Sequence, residues 1–119
     1  MNDPDDLIAM LEKRAYIDAR QRTALIELHG RIVERYPDAK FEIMRGIDEP
    51  DMIYLIAETE LEDPDVVIDL VIDRVVDLLV EEDVHVAVVS VPGPVRNAEI
   101  HAENLRRQRE IAEARLAAT

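Results

Sequence analysis

The stretch Val66-Val67-Ile68-Asp69-Leu70-Val71-Ile72-Asp73-Arg74-Val75-Val76-Asp77-Leu78-Leu79-Val80 constrains the fold more than any other part of the chain. Its residue types favour a strand, because valine and isoleucine are stiff at χ1 and pack well on a pleated surface. Its length and period favour a helix. Strands rarely exceed about ten residues, and here an acid returns at every fourth position of a long apolar run, as a 3.6-residue repeat produces. In front of it, Asp63-Pro64-Asp65 supplies a capping carboxylate, a proline suited to the first turn and an acid against the positive end of the helix dipole. The spacing predicts a helix over residues 64–82.

That helix lies between segments that read as strands. Lys40-Phe41-Glu42-Ile43-Met44-Arg45 alternates, and Met52 to Thr59 is rich in β-branched and aromatic residues. The loop between them, Gly46 to Asp51, is longer than a two-residue turn and predicts an antiparallel pair. Val84 to Val91 is almost continuously apolar, which predicts an interior strand covered on at least one face. Pro92-Gly93-Pro94 stops it. Joined through the long helix, the second and third strands should run parallel with a right-handed crossover, the first strand lying between them or at the edge.

Residues 5–36 carry helical periodicity in Leu7, Ile8, Leu11 and Ala15 and again in Leu25, Ile26, Leu28, Ile32, Val33 and Tyr36, and Pro37 ends it. The apolar stripe thins between Asp18 and Thr23, so this segment is one helix or two, with Thr23 available as a cap. Residues 97–117 are helical in propensity, with a thin apolar stripe of Ile100, Leu105, Ile111, Ala112 and Leu116 that gains little from packing on its own domain. The fold class is therefore α+β in a single domain over 1–119: N-terminal helices, a three-stranded mixed sheet in the order α-β-β-α-β-α, a long apolar crossover helix and a C-terminal helix.

Charge is distributed unevenly. Residues 48–83 hold fourteen acids against Arg74 alone, a net −13 that equals the charge of the whole 119-residue chain. The rest balances, with thirteen acids and thirteen bases, and twelve of the fourteen bases are arginine. A net charge of −13 argues against nucleic acid, whose backbone is bound by clustered Lys and Arg. Without cysteine there is no disulfide framework, thiolate metal site or cysteine nucleophile. No run approaches 18 apolar residues and the first residues are acidic, so neither a membrane span nor a secretory leader is expected, and a cytoplasmic setting is.

Asp65, Asp69, Asp73, Asp77 and Glu81 stack one turn above another on one face of the predicted helix, advancing about 40° per step. Unanswered, like charges at this spacing cost on the order of 0.2 to 0.5 kcal/mol per neighbouring pair. Three things answer such a row. A divalent cation is one, though a straight row wraps six oxygens around an ion poorly. Arginine from another helix is the second, and the C-terminal segment, with Arg96, Arg106, Arg107, Arg109 and Arg115, is the richest source. The third is water alone, the row keeping an apolar helix soluble. The candidate interaction residues are Asp65, Asp69, Asp73, Asp77, Arg106, Arg107 and Arg109.

His29, His85 and His101 lie on separate elements without metal-ligand spacing, so no metal and no cofactor is expected. His85 is placed to meet Glu82 or Asp83. Ser90 has no G-x-S-x-G context and three glycines make no phosphate loop, so no catalytic residue is assigned and an enzyme is not expected.

The segment from Tyr36 to Val91, with Tyr36-Pro37-Asp38-Ala39-Lys40-Phe41-Glu42, Ile53-Tyr54-Leu55 and Asp69-Leu70-Val71-Ile72-Asp73-Arg74, resembles a group of short bacterial proteins with no assigned activity. The resemblance implies a self-standing domain and no substrate. The α-β-β-α-β order is also similar to the cytoplasmic dimerisation domain of cation-efflux transporters, in layout alone, since membrane segments and histidine ligands are lacking. The valines, leucines and isoleucines of the long helix cover more of its circumference than one sheet can bury, and this predicts a homo-oligomer or a protein partner. The functional expectation is a non-catalytic homo-oligomerising or protein-interaction domain. The alternative is a small-ligand or divalent-metal-responsive accessory domain.

Overall fold

The computed structural model describes residues 4–118. They form α1 (Pro4–Glu12), α2 (Ala19–Arg35), β1 (Lys40–Arg45), β2 (Ile53–Thr59), α3 (Asp65–Val80), β3 (Val86–Pro92) and α4 (Pro94–Ala118). The fold is α+β, with a mixed sheet in the order β1-β2-β3. β1 is antiparallel to β2, with Ile43 opposite Leu55. β2 is parallel to β3, with Leu55 opposite Val88.

Strand period explains which side chains reach the core. On β2, Ile53, Leu55, Ala57 and Thr59 are buried while Tyr54, Ile56 and Glu58 are half-buried. α1, α2 and α3 fill the first of these faces through Leu7, Leu11, Leu25, Leu28, Ile32, Val67, Val71, Val75 and Leu78. Across the other face the register aligns Met44, Tyr54 and Ala87 in one row and Glu42, Ile56 and Val89 in the next.

The N-terminal helical region is two helices, and the break lies earlier than the thinning stripe indicates. It spans residues 13–18, and Asp18 rather than Thr23 is the cap. The Asp18 carboxylate accepts from the Gln21 N–H at 2.7 Å while Gln21 Oε1 accepts from the Asp18 N–H at 3.1 Å, a reciprocal capping box. Thr23 instead donates its hydroxyl to the Ala19 carbonyl inside α2. The buried Gln21 amide also donates to the Asp51 and His85 carbonyls, tying the start of α2 to the hairpin loop and to the entry of β3.

β3 is not interior. β2 is the central strand and β3 forms the edge opposite β1, its apolar character being absorbed by packing under α3. The two edges differ in their side chains: β1 carries Lys40, Glu42 and Arg45, and β3 carries no charge between Val86 and Pro92.

Candidate interaction surface

α3 forms as its period predicts, and the Asp63 carboxylate accepts the Asp65 N–H at 3.1 Å at its start. Val67, Val71, Val75 and Leu78 face the sheet and are buried. Asp65, Asp69, Asp73, Asp77 and Glu81 face outward and are exposed. Beside them an apolar stripe also faces outward: Ile72 is 41% exposed, Val76 47% and Leu79 37%. One sheet face and two helices thus leave a strip of α3 that is apolar along one border and mainly anionic beyond it, with Leu70 and Val80 exposed among the carboxylates.

No ion pair joins the aspartate row to any base among the described residues. Arg74, the only base in the acidic window, points elsewhere. Its guanidinium donates two bonds to Glu27 on α2, at 2.7 and 3.2 Å, and one to Glu82 at 2.8 Å. These bonds hold Arg74 above its usual pKa, and the Arg74 hydrogen bond, set against partial burial, holds the Glu27 carboxyl below the usual carboxylate range. The Arg20 guanidinium donates to the Glu82 carbonyl in the same cluster. This cluster locks α2 to α3 and to the following turn, and it leaves the row unanswered.

α4 is attached in a different way. It starts three residues before the predicted 97, because a carboxylate 36 residues away caps it: Glu60 accepts from the Arg96 N–H at 2.7 Å and the Val95 N–H at 3.4 Å. Gly93 makes this approach possible. A Cβ at that position would lie 1.6 Å from Glu60 Oε1. Arg96, its side chain 16% exposed, donates to the Glu62 carbonyl and pairs with Glu99 and Glu103 on its own helix. Beyond this first turn and a half the helix leaves the domain. None of its residues is buried, and a helix of 25 residues is about 37 Å long. The radius of gyration, 18.2 Å, exceeds the roughly 13 to 14 Å of a compact chain of this length, and the long axis reaches 62 Å against 28 and 26 Å for the others. The arm accounts for the difference.

Arg106, Arg107 and Arg109 lie on this arm, exposed and without an ion-pair partner among the described residues. The predicted interaction residues therefore fall in two groups, on α3 and on the projecting half of α4, that the chain does not bring together within itself. Helical spacing also separates the arginines. Arg106 and Arg109 sit 60° apart on the side that carries Leu105 and Ala112, whereas Arg107 sits on the opposite side.

The remaining candidates are local. His85 Nε2 is 2.9 Å from Asp83 Oδ1, across a turn in which Asp83 takes a φ of 55°. His29 is buried with its ring 4.5 Å from Phe41, and burial lowers its pKa. Among the described residues no cluster of His, Cys, Asp or Glu is arranged to hold a metal. A cleft of about 520 Å³ lies between the end of α2, the end of β2 and the start of α4. It combines Arg35 and Lys40 with Asp38, Glu58 and Glu60, and Glu60 is already engaged as the cap of α4. No helix among the described residues is long and apolar enough to cross a membrane.

Compared with known proteins, the chain matches no family model, no curated protein and no solved structure.

Proposed function

We propose that this chain is a non-catalytic assembly domain whose role is to bring copies of itself together. The observation that supports this is α4, a 25-residue helix without a buried residue, held to its domain by one capped turn. Isolated helices gain their stability in proteins from packing an amphipathic face against something else. Leu105, 52% exposed, has no such surface within the chain. A second unburied surface, the outward strip of α3, has the same need. A reducing compartment such as the cytoplasm suits a chain with no cysteine, and we take that as its setting.

Sedimentation velocity of the full chain across the micromolar range tests the proposal. The expected result is a concentration-dependent dimer or higher species, and a monomer at every concentration overturns it.

A further inference from the structure

We infer that two copies exchange their α4 arms, the arm of each lying along α3 of the other with Arg106 and Arg109 against Asp69, Asp73 and Asp77. This rests on the assembly reading above and specifies the surfaces.

Charge selects the occupant. The α3 strip presents five carboxylates with no base among the described residues to meet them, and the segment from 48 to 83 holds the entire net charge of −13. Any partner must bring cations on a helical or extended element that also has an apolar side. The chain itself carries one: α4 sets Arg106 and Arg109 next to Leu105 and Ala112, with Glu113 on the same side, and all five are exposed. The α3 strip offers the converse, Ile72, Val76 and Leu79 bordering Asp69, Asp73 and Asp77.

Geometry selects an exchange between copies. α3 begins at the same end of the sheet as α4, because β2 and β3 are parallel and each helix follows a strand. α3 returns along the sheet, while α4 continues outward along the 62 Å axis and so moves away from the α3 of its own chain. A two-fold axis perpendicular to that length sets a second copy head to head with the first, so that each arm runs alongside the other domain. Arg106 is the thirteenth residue of α4 and Asp77 the thirteenth of α3, so level helix starts set Arg106 beside Asp77, and an offset of one to two turns sets Arg106 and Arg109 along Asp69, Asp73 and Asp77. The contact is isologous and closes at two copies. It also relieves the repulsion along the row, on the order of 0.2 to 0.5 kcal/mol for each neighbouring pair of like charges.

Charge exchange tests the contact. Four proteins are compared by sedimentation velocity at about 50 mM and about 1 M salt, where exposed ion pairs are weakly and strongly screened: the unaltered chain, R106E/R109E, D69K/D73K and R107E. Each double variant should weaken self-association roughly tenfold or more at low salt. Mixing the two double variants in equal amounts should restore the dimer, because both interfaces of the mixed pair then join opposite charges. R107E, on the far side of the arm, should associate like the unaltered chain. Double variants that dimerise normally, or a mixture that stays monomeric, overturn the arm exchange while leaving self-association standing. An unaltered chain that is itself monomeric removes the assembly reading as well.

Discussion

The two helices that flank β3 use opposite means of staying where they are. α3 is held along its whole length: every turn places a valine or leucine against the sheet, and Arg74 fastens it to Glu27 on α2. α4 is held at one end, by the Glu60 carboxylate over Gly93, and touches little afterwards. One helix is part of the core and the other is directed by it. The difference implies that stability resides in the layer of β2, α2 and α3, while whatever α4 does is separable from folding.

The strongest challenge to that division is Leu55→Ala. Leu55 lies on the central strand and is fully buried, so its truncation should lower unfolding stability by about 2 to 5 kcal/mol in a urea titration. A loss under about 1 kcal/mol would mean that the core is not where stability resides.

Gly93→Ala probes the attachment of the arm. The new methyl collides with Glu60, which must swing away and release the Arg96 and Val95 N–H groups. We expect a local cost of about 1 kcal/mol, seen as faster amide exchange in the first turn of α4 with exchange in β2 unchanged. Equal acceleration in both regions would show that arm and core are one cooperative unit.

Acid should weaken the core through two groups. His29 is buried and its pKa is lowered, so the unfolded chain takes up a proton first, and stability falls as pH drops below the ordinary histidine value of about 6.5. Glu27 is also lowered, by Arg74, so its contribution is present above the ordinary carboxylate range and is lost as pH falls through it. His29→Gln should remove the first of these slopes from thermal unfolding curves and leave the second. Unchanged slopes would mean that His29 is not kept neutral by its surroundings.

The smallest effect is expected from Leu105→Ala on the arm. At about 1 M salt, where charge contacts are screened, it should change unfolding stability by no more than about 0.5 kcal/mol. A core-like loss would erase the distinction between the two helices.

The core half of this contrast was legible in the residues. Acids every fourth position in a valine-rich run, with Pro64 in front, specify α3, and the alternation from Met52 to Thr59 specifies β2. The break between α1 and α2 was only partly legible. Asp18 and Gln21 carry the spacing of a capping box, but the buried Ile17 just ahead of it continues the apolar signal through the break. The edge position of β3 was hidden because packing beneath a helix makes a strand as apolar as a central position does. The attachment of α4 was not legible locally, since Glu60 and Arg96 are 36 residues apart and nothing around either announces the other. Gly93 between two prolines was the one available sign of a close approach. The aspartates and the arginines were identifiable one by one, and their separation within the chain emerges only from the direction of α4.

The unequal edges of the sheet carry a consequence for handling the protein. Charged side chains along an outer strand discourage other chains from adding to it, and β1 has three, at Lys40, Glu42 and Arg45. β3 has none over seven residues and combines high β-propensity with low charge, the composition that templates aggregates. Heating or mild denaturant that lifts α3 would expose this strand on both its edge and its face. Aggregation should then grow from one side of the molecule, and a lysine in place of Val89 should slow it without touching the buried face of the sheet.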